Sequence, residues 1–179
     1  MKKYDQNYTV NPYKNGNMTV NQNHCYELKG DEEMNRLNLI TLGVKDMVES
    51  LKFYRDGLGF EVLVYGDETN PDVIFFNNAG TKISLFPIDR LVKDINEKNP
   101  PAVVEGFGGM TLAYNGKSKK EVDDVISLAK KAGAKITKEP ETVFWGGYSG
   151  YFQDPNGFYW EVAYGEDWKF DENDMLIIR

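Results

Sequence analysis

The sequence predicts an α+β domain built from two βαβββ repeats whose mixed sheets curl around a cleft. Three observations carry that expectation: the same order of strand and helix signals occurs twice, each helix opens on a capping box, and each half closes on a glycine-led strand. In the first half, Leu37-Asn-Leu-Ile-Thr-Leu-Gly-Val44 reads as a strand with Ile40, Leu42 and Val44 on one face. Asp46-Met-Val-Glu49 has the spacing at which a carboxylate satisfies a free helical N–H. Met47, Leu51 and Tyr54 then recur at helical spacing, and Gly57 and Gly59 offer the left-handed stop. Phe60–Tyr65, Val73–Phe76 and Lys82–Phe86 follow as strands, with a loop expected over Gly66–Pro71. A short amphipathic helix over 88–95 leads to the Asn99-Pro100-Pro101 linker.

The second half repeats the order. Met110-Thr-Leu112 reads as a strand, Ser118-Lys-Lys-Glu121 as a capping box, and Val122, Val125, Ile126 and Ala129 as a helical stripe ending near Gly133. Ala134-Lys-Ile136 follows, then a loop holding Trp145-Gly-Gly-Tyr148. The chain's most informative stretch is Tyr151-Phe-Gln-Asp-Pro-Asn-Gly-Phe-Tyr-Trp-Glu-Val-Ala-Tyr-Gly165, a hairpin about Asp154-Pro155-Asn156-Gly157. Proline presets φ, asparagine tolerates left-handed backbone, and glycine takes the position where a Cβ clashes. Alternation in its second strand puts Phe158, Trp160, Val162 and Tyr164 on one face and Tyr159, Glu161 and Ala163 on the other. Glu161 then sits either at a cavity mouth or in plain solvent. Neither half alone can bury both its helix and its sheet face, so the two are expected to pack together.

Domain boundaries are expected at an N-terminal extension (1–33), the repeat domain (34–166, with repeats 36–87 and 108–165) and a C-terminal tail (167–179). In the extension, Lys14-Asn15-Gly16-Asn17 is a modest hairpin signal beside the alternative of an extended arm, and Met34 is a candidate alternative start. The chain has 179 residues, 41% hydrophobic and 27% charged, the proportions of a globular protein. A net charge of −7 and the absence of a long basic patch argue against nucleic acid or an anionic membrane. No apolar run follows the Met1-Lys-Lys start, and a single cysteine, Cys25, fits a reducing cytoplasm. His24 is the only histidine; adjacent His24 and Cys25 rarely point at one metal, and nucleophilic catalysis is the weakest class.

Leu39–Phe60 and Tyr148–Tyr164 resemble the vicinal oxygen chelate superfamily, which includes glyoxalase I, bleomycin-resistance proteins and extradiol dioxygenases. The resemblance covers roughly residues 36–166. It implies a cleft lined by four metal-ligand positions, two per repeat. Carried over one at a time, those positions fall on Leu39, Ser84, Gly109 and Glu161. One carboxylate cannot replace the chelation that offsets a metal ion's desolvation, so no metal or other cofactor is expected, a divalent ion being the alternative.

Strand parity lists Leu39, Thr41, Ser84, Phe86, Gly109, Tyr159 and Glu161 toward the cleft, with Lys82 beside them. Small side chains on one face leave volume for a ligand; the competing expectation is a filled cleft with Glu161 paired to Lys82. Trp145 and Tyr148 are candidates for a lid or wall, or for packing beneath their loop. With Phe86 and Tyr159 they make an aromatic cage suited to a flat or amine-bearing molecule. The expectation is a small-molecule-binding homodimer with Glu161 as polar anchor. A lyase or isomerase using Glu161 as base or metal ligand is the alternative, and a partner-binding role for the extension is a third.

Overall fold

The computed structural model describes residues 37–178, which belong to one unit, Arg36–Arg179. Lys14–Asn17, the His24–Cys25 pair and Met34 lie outside the described residues.

Two βαβββ repeats are present. The first runs β1 (Leu39–Val44), α1 (Met47–Leu51), β2 (Val62–Asp67), β3 (Asn70–Phe76) and β4 (Lys82–Pro87), with strand order β1-β4-β3-β2. After α2 (Ile88–Ile95) and a linker, the second runs β5 (Thr111–Asn115), α3 (Lys119–Lys131), β6 (Lys135–Thr142), β7 (Tyr148–Gln153) and β8 (Tyr159–Tyr164), ordered β5-β8-β7-β6. In each sheet the first and last strands of the repeat are parallel neighbours and the remaining pairings are antiparallel.

Both N-caps form, each as the N-cap half of its capping box. The Glu49 amide donates to Asp46 Oδ1 at 2.8 Å, and the Glu121 amide donates to Ser118 Oγ at 3.1 Å. Helix α1 continues through a π-helical segment, Lys52–Gly57, in which the Leu58 amide reaches the Phe53 carbonyl five residues back at 2.9 Å. It stops at Gly59, whose φ is +80°.

Three boundaries differ from the sequence reading. Gly66–Pro71 is not a loop: Asp67 Oδ1 accepts from the Thr69 amide (2.7 Å) and hydroxyl (2.6 Å), closing a tight turn, and Pro71 is absorbed where the register shifts after Tyr65. Strand β6 extends to Thr142 through Pro140, which an edge strand tolerates because one side of its backbone needs no ladder bond. The tail adds a small hairpin, β9 (Lys169–Phe170) and β10 (Leu176–Ile177).

The two repeats share one core. Leu42, Val44, Leu51, Ile74, Phe76 and Leu85 of the first meet Val122, Ile126, Phe152, Trp160 and Val162 of the second. Tyr54 lies at the junction, fully buried, with ring centroids 4.9 Å from Phe76 and 6.2 Å from Trp160. Its hydroxyl donates to Asp154 Oδ2 at 2.6 Å and accepts from Trp160 Nε1 at 3.2 Å. Asn156, in the Asp-Pro-Asn-Gly turn, reaches back to Ser50 Oγ (2.9 Å) and accepts from the Lys45 amide (3.1 Å). That turn therefore closes a hairpin and also fastens the second repeat to the first.

Candidate functional site

Because alternate residues of each strand enter the shared core, the remaining residues form an outward face on each sheet. On the first sheet this face carries Leu39, Thr41, Ser84, Phe86 and Lys82, where the sequence placed them, together with Leu63, Tyr65 and Phe75. Register pairs Thr41 with Ser84, and their hydroxyls bond each other at 2.9 Å. Lys82 Nζ donates to the Asn78 carbonyl, and among the described residues no Lys82–Glu161 ion pair forms. The Arg90 guanidinium lies 5.0 Å from the centre of the Phe86 ring and bonds Asp72 at 2.8 Å. One end of the face is closed by α2: a Cβ on Gly43 would come within 2.9 Å of Ile88. The other end opens into a pocket of about 880 Å³ lined by Leu39, Leu63, Phe75 and Lys82 among others.

On the second sheet, Glu161 stands between Ala113 of β5 and Tyr151 of β7. Burial first, and then hydrogen bonding to the Glu161 carboxylate, pushes the Tyr151 hydroxyl up to about 12. Lys138 Nζ sits 6.0 Å from the Tyr151 ring centre while engaging Glu141 at 3.4 Å. Among the described residues Glu161 has no ion-pair partner. Tyr159 meets Phe107 of the linker edge to face, with centroids 5.6 Å apart. Trp145 stacks on Trp168 of the tail, at 5.9 Å and 16° between planes.

Two expected site residues are placed elsewhere. Tyr148 pairs with Tyr164 on the helix-facing side, where its hydroxyl donates to Asp123 at 2.9 Å and Lys119 lies over its ring. It therefore takes no part in an aromatic cage. Gly109 precedes β5, is exposed and has φ +77°. Seven residues before the Ser118 cap lies Thr111, which stands in the second repeat where Leu39 stands before Asp46 in the first. Register agrees, setting Leu39 opposite Lys82 and Thr111 opposite Tyr159. Met110, expected to open that strand, also precedes it and is 44% exposed.

Tyr151 was legible: the parity that selects Glu161 also selects its partner on β7 once the hairpin is closed. Trp168 has no sequence signal, because its position depends on how the tail folds back.

The matching family model is the Glyoxalase/Bleomycin resistance protein/Dioxygenase superfamily, over residues 36–162. The chain belongs to that superfamily. Among solved structures, a glyoxalase-related enzyme from Fulvimarina pelagi is 27% identical with a TM-score of 0.71, over 81% of this chain and 99% of that one. A lactoylglutathione lyase from Agrobacterium tumefaciens is 24% identical with a TM-score of 0.57, over 76% and 98%. A glyoxalase/bleomycin resistance protein/dioxygenase family enzyme from Burkholderia phytofirmans PsJN is 18% identical, also with a TM-score of 0.57, over 72% and 97%. The last two share the fold. No curated protein sequence matches.

The metal implied by the superfamily does not fit this donor set. Leu39 and Ala113 offer no donor, the Thr41 and Ser84 hydroxyls are bonded to each other, Thr111 offers one exposed hydroxyl, and only Glu161 is a carboxylate. Among the described residues no three His, Cys, Asp or Glu side chains converge on one point, nor is any helix long and apolar enough to cross a membrane.

Proposed function

We propose that this superfamily member binds a small organic molecule bearing an amine, without a metal, at the second sheet's outward face, and that a second copy of the chain closes that face. The observation that carries the reading is the Glu161–Tyr151 pair. The half-buried Glu161 carboxylate stands across the ladder from Tyr151 with no ion-pair partner among the described residues, and the rings of Tyr151 and Tyr159 flank it. An ammonium group is the complement: it donates to Glu161 and meets the electron-rich faces of Tyr151 and Tyr159.

What supports the second copy is the first sheet. Leu39, Leu63 and Tyr65 on its outward face are 41%, 54% and 52% exposed, although the opposite face is already in the core. A sheet apolar on both faces needs cover on both. The two outward faces of one chain sit on opposite sides of the shared core, so they cannot cover each other. Arg90 with Asp72 and Lys138 with Glu141 are paired within each face, which leaves Lys82 on the first and Glu161 on the second as opposite charges without an ion-pair partner among the described residues. A two-fold dimer laying the first repeat of each copy over the second repeat of the other satisfies both faces at once.

Isothermal titration calorimetry with tryptamine tests the site. Binding that weakens about tenfold or more in Glu161→Gln, near 1.4 kcal/mol, supports it. Unchanged affinity refutes the anchor, and a stoichiometric transition metal in untagged protein refutes the metal-free site. Sedimentation equilibrium showing only monomer at micromolar concentration refutes the shared cleft.

A further inference from the structure

The tail folds back over the second sheet, and it brings an aromatic surface to the candidate site. Trp145 and Trp168 come from the β6–β7 connection and from the segment after β8, yet they stack with planes 16° apart. Each indole is seated on a glycine of the outward face. A Cβ on Gly147 would fall 1.7 Å from the Trp145 ring, and one on Gly165 would fall 2.6 Å from Trp168 Nε1. Those glycines flank the Tyr148–Tyr164 rung of the β7–β8 ladder, so the two seats are neighbours.

The next outward rung toward the anchor is Ser149 and Ala163, which are 2% and 1% exposed despite facing away from the core. One rung further, about 7 Å along the strand, stand Tyr151 and Glu161. An aromatic pair, a rung that the protein already covers and a carboxylate thus follow one another in a line. This aromatic wall is not needed to hold the tail. Lys117 pairs with Asp174 and lies 5.9 Å from the Phe170 ring centre, and Asp171 Oδ1 caps the small hairpin by accepting from the Asn173 and Met175 amides. Trp145 remains 45% exposed after stacking. Glu166 and Asp167, exposed beside Trp168, add negative charge at this end.

We propose that Trp168, from outside the repeats, is a specificity-determining residue. With Trp145 it forms the face on which the flat ring of an arylalkylamine lies while the amine reaches Glu161, so the site selects a molecule that carries both a ring and a cation. This rests on the reading of Glu161 given above.

The test compares two probes, tryptamine and hexylamine, by calorimetry on the full chain and on Trp168→Leu, Trp168→Phe and Glu161→Gln. Leucine keeps apolar cover over Gly165 and removes the stacking face, and thermal melts confirm that each variant folds. The expected result is a roughly three- to tenfold loss of tryptamine affinity in Trp168→Leu, with partial recovery in Trp168→Phe and hexylamine unchanged within about twofold. Equal losses for both probes, or none, overturn the proposal. If Trp168→Leu is silent while Glu161→Gln weakens both amines, the anchor stands and the wall falls. If tryptamine depends on Trp168 and is indifferent to Glu161→Gln, the wall stands and the anchor falls. Failure of both probes to bind the unaltered chain overturns both.

Discussion

Replacing Tyr54 with phenylalanine tests the junction on which the whole arrangement depends. The substitution keeps the ring, which touches Phe76 and Trp160, and deletes one oxygen that serves both repeats. That hydroxyl donates to Asp154 and accepts from Trp160, and the three residues are 0%, 4% and 5% exposed. A hydrogen bond to a charged acceptor is worth about 1.5–3 kcal/mol, and leaving a buried donor such as the Trp160 N–H unpaired costs about 1–3 kcal/mol. The expected loss at pH 7 is therefore about 3–5 kcal/mol, a large part of a domain's typical stability.

Its pH dependence separates this account from simple loosening. Burial raises the Asp154 carboxyl above its ordinary value, and the Tyr54 hydroxyl is the foremost influence holding it down. A carboxyl raised in the fold contributes its full stability below the unfolded value, near 3.9, and loses it as pH climbs through the folded one. Without the hydroxyl the folded value rises further, so the variant loses more over that climb. The gap between the two proteins should widen from about pH 4 toward pH 7 and then level off. Asp154→Asn removes the charge; its oxygen can still accept from the Asn156 and Phe158 amides, as Oδ1 does at 2.9 and 2.8 Å. That variant should lose less and erase this part of the pH dependence. Urea unfolding followed by far-ultraviolet circular dichroism measures both. A Tyr54→Phe loss under about 1 kcal/mol at pH 7, or the same loss at pH 4.5 and 7.5, refutes the reasoning.

Three further outcomes are expected. Ultraviolet titration should find a tyrosine ionising near 12 that moves down in Glu161→Gln, because the neighbouring charge goes while the burial stays; an unmoved titration refutes the contact. Alkaline stability should be full below pH 10 and fall above it as Tyr54, raised first by burial and then by Asp154, is forced to ionise in the fold; a stability curve flat through that range in urea would contradict its burial. Gly57→Ala should cost about 1–3 kcal/mol, because its Cβ would lie 2.5 Å from the Ala132 Cβ at the end of α3. Gly43→Ala should cost less, since it meets the flexible side chains of Ile88 and Leu91; the reverse order of unfolding midpoints would be inconsistent with this packing.

Much of the fold was legible because its signals are local. Capping boxes at Asp46 and Ser118, left-handed glycines at 59 and 157, and alternation through β8 need only a few neighbouring residues to declare themselves. Gly66–Pro71 misled because glycine and proline usually break strands; here Gly66 sits at the register shift on the edge strand β2, and Pro71 lies near the start of β3, outside its pairing with β4. Gly109 was misplaced by aligning Met110-Thr-Leu112 with Ile40-Thr-Leu42. The two-residue offset kept the parity of the faces and so raised no conflict; distance from the helix cap or the β5–β8 register exposes it.

The harder limit concerns the site itself. Alternation divides each strand into two faces but says nothing about which face of one sheet meets which face of the other. Leu39 and Leu63 are as apolar as Leu42 and Ile74, so hydrophobicity does not choose. What chooses is Tyr54, placed by the π-helical segment where its hydroxyl can join Asp154 and Trp160, since only the helix-bearing sides can meet around that group. Once they do, the candidate ligand groups are divided between two outward faces, Thr41, Ser84 and Phe86 on one and Tyr159 and Glu161 on the other. A chain in this arrangement can bring those groups together only by pairing with another copy. On the dimer and ligand proposed above, dilution should therefore weaken binding, and affinity that holds constant on dilution would place the whole site on the second repeat, its tail and Glu161.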